Sequence, residues 1–115
     1  SALAAETDEA AEHLAATLDL AWLRIGQGRT GPAPSFAEAL AHEYSPAEEA
    51  QRLANRSRHS IGSASRVAAE LSVLADEAAA DEVMVLTMAH DLDSRVRSYE
   101  LVAAELGLTP AASAA

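Results

Sequence analysis

Ala80-Asp81-Glu82-Val83-Met84-Val85-Leu86-Thr87-Met88 is the stretch on which the fold turns. Two acids lead into six uncharged residues, and odd and even positions alike are mostly apolar. A strand with one wet face alternates. A run apolar on both faces suits a parallel strand with helices over one side and a core on the other. Residues 83–88 are therefore expected to be the best strand of an α/β arrangement. Ahead of it, Ser63 or Ser65 caps a helix to about residue 79, with Val67, Leu71, Leu74 and Ala78 as its buried stripe. Behind it, Asp91 or Asp93 caps a last helix whose apolar face is Val96, Tyr99, Val102 and Leu106, and Gly107 ends it.

Further upstream the pattern is helical. His59-Ser60-Ile61-Gly62 is too short to read alone and fits a brief strand turning at Gly62. Ser45-Pro46-Ala47-Glu48 is a capping box with proline at the first helical position, opening a helix to about residue 58. Its Glu48, Glu49, Arg52 and Arg56 are spaced to pair along a solvated face. Ser35-Phe36-Ala37-Glu38 opens a shorter helix by the same device. Residues 26–35 read Gly-Gln-Gly-Arg-Thr-Gly-Pro-Ala-Pro-Ser and are expected to be a mobile linker or lid. A phosphate-cradling glycine loop needs a strand before it and a helix N-terminus after it. Here a helix precedes and two prolines follow. Over residues 6–25, Ala11, Leu14, Leu18, Trp22 and Ile25 form an amphipathic helical stripe, with Ser1-Ala2-Leu3 running straight into it. Four segments result: an amphipathic helix over 1–25, the linker or lid over 26–35, helices with two βα units over 36–108, and a small-residue tail over 109–115, expected to be disordered.

Composition narrows the function. Of 115 residues, half are hydrophobic but only 3% aromatic, and alanine supplies much of the apolar count. Such a chain is helix-rich and lightly packed. The net charge is −10, and all eight basic residues are arginine. Without a basic cluster, nucleic-acid binding and anionic membrane surfaces are excluded. No apolar run approaches a membrane span, no signal-peptide pattern opens the chain, and there is no cysteine. A cytoplasmic location fits these absences. His13, His42, His59 and His90 stand in no metal-ligand spacing, so no metal site is expected. His13 reads as an exposed helix residue, and Trp22 as an anchor on an apolar stripe.

Five motifs, in order over nearly the whole chain, resemble those of bacterial luciferase-like, flavin-dependent monooxygenases. They are Ala5-Glu6-Thr7-Asp8-Glu9-Ala10, Ser35-Phe36-Ala37-Glu38-Ala39-Leu40, Ile61-Gly62-Ser63-Ala64-Ser65-Arg66-Val67, Ala80-Asp81-Glu82-Val83-Met84-Val85-Leu86-Thr87, and His90-Asp91 with Arg95-Val96-Arg97-Ser98-Tyr99-Glu100-Leu101. Ala64, Arg66 and Ala79 or Ala80 depart from that family's usual proline, threonine and glycine.

The resemblance implies the C-terminal part of a TIM barrel, a fold of about 250 residues. This chain would supply its last two strands, as a fragment that is not catalytic alone. Taken by itself the chain would be mostly α with one or two short parallel strands. FMN is the implied cofactor of the parent family, a deazaflavin the alternative, with neither held by this chain alone. Thr87, His90 and Asp91, at the C-terminal end of the strong strand, would line the mouth of the flavin pocket; for Asp91 and His90 the competing reading is a helix cap and a packed turn. No residue of the chain is assigned a catalytic role. The implied partner is the missing N-terminal part of the barrel or a second copy. The alternative to enzymatic ancestry is a small helical oligomerisation module.

Overall fold

The computed structural model describes residues 1–109. Its sheet is small and parallel. Strand β1 (Ala2–Ala5) pairs with β2 (Ser60–Ser63) in the register Ala2↔Ser60 to Ala5↔Ser63. The opening residues are thus a strand, and do not run straight into the helix as the sequence suggested. Small side chains explain the difference. Ala2, Leu3, Ala4 and Ala5 are all buried, and three alanines let helices approach both faces of the strand. Leu3, Ala5 and Ile61 face Ala11, Ala15 and Leu18 of the long helix α1 (Asp8–Gly26). Ala2 and Ala4 face the other way, toward Val67 of α4 (Ala64–Glu77) and Val102 of α5 (Leu92–Glu105).

Residues 83–88 do not form a strand. The segment lies along the edge of β1 remote from β2, and one bond joins them: the Ala2 N–H donates to the Leu86 carbonyl at 3.0 Å. The next outward donor of β1, the Ala4 N–H, is taken instead by Ser98 Oγ of α5 at 2.9 Å. On the segment itself the Thr87 N–H is taken by the Tyr99 hydroxyl at 3.0 Å. Side chains of α5 thus cap both edges, and the ladder stops at one rung. Nor is the segment covered on both sides. Thr87 is buried and Val85 half-buried, while Met84 is 91% and Leu86 62% exposed.

The spatial order is β2, β1, then 83–88, with α1 over one face and α4 and α5 over the other. The described residues form a helix-rich unit with two short parallel strands.

The remaining helices build outward from α1. Thr7 caps α1 through the Ala10 N–H. Besides the sheet-facing stripe, α1 buries a second face, Leu20 and Leu23, against Ala39 of α2 (Phe36–Ala41). Ile25, placed by spacing on the apolar stripe, is exposed. Both capping boxes form in full, Ser35 with Glu38 and Ser45 with Glu48, the latter starting α3 (Pro46–Arg56). The arginines of α3 do not keep to a solvated face. Arg52 Nη1 lies 3.3 Å and Arg56 Nη2 2.9 Å from Oδ2 of the buried Asp19 on α1, and Glu49 and Glu12 hold their outer edges. Two guanidinium groups around one carboxylate pin α3 to α1.

Gly107, at φ 65°, closes α5 in the left-handed conformation that favours glycine. No helix among the described residues is long and apolar enough to cross a membrane. Of the tail expected over 109–115, everything from Pro110 onward lies outside the described residues.

Candidate functional site

In parallel α/β sheets and barrels alike, ligand sites form beyond the carboxyl ends of the strands. Here that point lies between the end of β1, which feeds α1, and the end of the 83–88 segment, which feeds α5. A cavity of about 270 Å³ occupies it, lined by Ala5, Glu6, Leu14, Asp93, Ser94 and Arg97 among others.

Glu6 and Arg97 bridge the cavity mouth, with Arg97 Nε donating to Glu6 Oε1 at 2.7 Å. The Arg97 hydrogen bond holds the Glu6 carboxyl below its ordinary range, and Glu6 in turn pushes Arg97 up. Glu100 lies 3.6 Å from Arg97 on the same helix. Sequence spacing points to the Arg97–Glu100 contact. The stronger partner, 91 residues away, is visible only once β1 and α5 are packed together.

None of the residues assigned to a flavin pocket mouth by resemblance lines this crevice. Thr87 is buried, with its N–H tied to Tyr99. Asp91 caps α5, accepting from the Ser94 N–H at 2.7 Å, and that backbone donor lowers its carboxyl pKa. His90 is exposed and meets the edge of the Phe36 ring at 5.5 Å, while His13 stacks on the same ring at 5.2 Å. Phe36, His13 and His90 thus tie α1, α2 and the turn before α5 together. Sequence reasoning had no means to join them, since they belong to three separate segments.

The chemistry open to these groups is limited. No group of three side chains suited to a metal occurs among the described residues. A flavin phosphate calls for backbone donors or unpaired cations. The crevice offers one arginine, already held by two glutamates, beside Asp93. Its residues do not fit the phosphate of FMN.

Comparison with known proteins places the chain in a wider setting. No family model matches it. It is 39% identical over 101 residues to the protein YceB of Bacillus subtilis (strain 168), covering 88% of this chain and 30% of that one. To the luciferase-like monooxygenase of Escherichia coli (strain K12) it is 28% identical over 99 residues, covering 86% of this chain and 30% of that protein. The chain is a distant relative of a luciferase-like monooxygenase. Among solved structures, the crystal structure of apo-MsnO8 superposes with a TM-score of 0.80 at 33% identity, over 96% of this chain and 34% of that one. The chain spans about 30% of the length of the curated relatives it matches. The luciferase-like relationship suggested by the five motifs therefore holds at a distance.

Proposed function

We propose that this chain is the closing βα portion of a luciferase-like, flavin-dependent monooxygenase, and that it acts there as scaffold. The observation that carries this reading is the 28% identity to the E. coli luciferase-like monooxygenase over 99 residues. The acidic crevice supports the second half of it: flavin contacts, FMN before a deazaflavin, belong to polypeptide outside this chain. Flavin supplies the oxygen activation in such enzymes, and protein positions it. Thr87, His90 and Asp91 then shape the rim of the strand ends and do not touch phosphate. The exposed face of Met84 and Leu86 is, on this reading, where further barrel strands or a second copy would lie. A cytoplasmic setting is part of the same proposal.

Two titrations test it, both followed by flavin fluorescence. The chain alone is expected to give no saturable FMN binding. Saturable one-to-one binding by the chain would overturn the scaffold reading. The E. coli relative, with its matching 99-residue stretch exchanged for this chain, is expected to keep the flavin binding of its parent. A folded chimera that has lost it would show that this chain does not perform the corresponding role.

A further inference from the structure

Helix α4 ends on a residue ill suited to its conformation. Ala79 lies at φ 48°, in the left-handed region that favours glycine, and no other non-glycine among the described residues does so. The turn is closed all the same. The Ala79 N–H donates to the Asp76 carbonyl at 3.1 Å and the Ala80 N–H to the Ala75 carbonyl at 2.9 Å. From there the chain passes to the edge of β1, and residues 76–84 are exposed throughout.

Beyond this hinge lies an arm, residues 83–109. The contacts that hold it to the rest of the chain come from residues 85–102. Leu86 accepts from the Ala2 N–H, Ser98 from the Ala4 N–H, and Arg97 pairs with Glu6. Val85 and Val102 pack with Ala2, Ala4 and Val67. All of these contacts can be made equally to the body of another copy once the hinge opens. The seam between arm and α4 is also poorly filled. A cavity of about 490 Å³ is lined by Leu71 and Ala75 on one side and Val83, Val102 and Leu106 on the other. Another, of about 600 Å³, lies between Val73 and Leu74 of α4 and the exposed Met84 and Leu86.

We propose that two copies of the chain exchange this arm, each arm closing the body of the other. Short hinges under strain invite such an exchange, and it is a low-cost route to a two-fold dimer. The strain at Ala79 is released and the contacts of the arm are kept. The two hinges then run side by side about the two-fold axis. There Met84 and Leu86 of one hinge lie against those of the other and enter the larger cavity. The exposed apolar pair and the unfilled seam thus have one occupant, the hinge of the second copy. The exchange stands apart from the flavin reading and differs from face-to-face pairing of two closed chains, because arm and body come from different polypeptides.

The chain has no cysteine, so one engineered pair reports which body an arm closes. Ala4 and Ser98 meet through the 2.9 Å bond from the Ala4 N–H to Ser98 Oγ, within reach of a disulfide. Ala4→Cys/Ser98→Cys, oxidised at micromolar concentration, is expected to run as a linked dimer in denaturing electrophoresis without reductant. A disulfide closed within single chains would overturn the exchange, whether or not those chains associate. Ala79→Gly tests the hinge without touching any contact of the arm. Glycine accepts the positive φ freely, so the closed chain gains, and the association constant from sedimentation equilibrium is expected to fall about tenfold. An association constant that is unchanged or raised would equally overturn the exchange, since pairing of closed chains draws nothing from strain at Ala79.

Discussion

Gly62 shows how closely this small sheet is drawn around single residues. A Cβ at this position would lie 2.7 Å from Arg66 Cδ and 2.8 Å from Asp8 Oδ1. Arg66 is a flexible, exposed side chain and can swing away. Asp8 cannot, because its Oδ1 accepts the Ser63 N–H at 2.6 Å and so holds the start of α4 against the start of α1. The Ser63 side chain itself makes no cap bond to the first turn of α4. Gly62→Ala is expected to destabilise the protein by about 2 kcal/mol through overpacking, read as a lower urea midpoint. The cost should shrink in an Asp8→Ala background, where the clash is already gone. Equal costs in the two backgrounds would show that Asp8 is not the obstacle. The sequence places Gly62 at a turn, and the reason for glycine there is contact across 54 positions, which local patterns do not carry.

Among the elements, α5 decides the shape of the sheet. Ser98 and Tyr99 take the backbone donors of Ala4 and Thr87 that would otherwise be free at neighbouring strand edges. Ser98→Ala leaves the buried Ala4 N–H without an acceptor and is expected to cost about 2 kcal/mol. Hydrogen exchange at the Ala4 amide should rise with it. Unchanged protection there would mean that another acceptor, such as the 83–88 segment, closes in.

The helix termini set the response to acid. Backbone N–H groups at Ser63, Ser35, Ser45 and Ser94 hold the carboxyls of Asp8, Glu38, Glu48 and Asp91 below their ordinary values of 3.8 and 4.5. Burial, with nearby positive charge, pushes His59 below 6.5. A folded carboxyl with a lowered pKa contributes stability above its ordinary value and loses it as the pH falls through the folded one. A histidine with a lowered pKa is protonated more readily in the unfolded chain, so stability also falls as the pH drops below 6.5. The melting temperature is therefore expected to fall in two steps on acidification, first below pH 6.5 and then below pH 4.5. A melting temperature that holds or rises over either interval would contradict the assigned partners. These caps were the most legible elements in the sequence, because a capping box lies within four residues. The strand at 83–88 was misread for the converse reason: its apolar composition is local, but its hydrogen-bond partners are chosen by α5.

On the scale of the whole molecule, the chain covers most of its own small sheet and leaves one face open. The helix-rich character and the paired short strands follow from composition and capping. The order β2, β1, 83–88 does not, since it depends on which edge of β1 the last segment finds. Thr87, His90 and Asp91 lie at the end of the 83–88 segment, and their contacts with Tyr99, Phe36 and Ser94 become visible only when α5 and α2 are docked. The consequence that matters is the surface of Met84 and Leu86, apolar, exposed, and set beside backbone groups with no further strand to meet. Such an edge favours pairing with other polypeptide. Sedimentation equilibrium of the 115-residue chain at micromolar concentration tests this most directly. The expected result is a mass of about twice 12.0 kDa or more, returning to the single-chain value in Met84→Asp/Leu86→Asp. A cooperatively melting species that stays at 12.0 kDa across the concentration range would show that the chain is complete in its own packing, and would contradict the reading of it as one part of a larger α/β assembly.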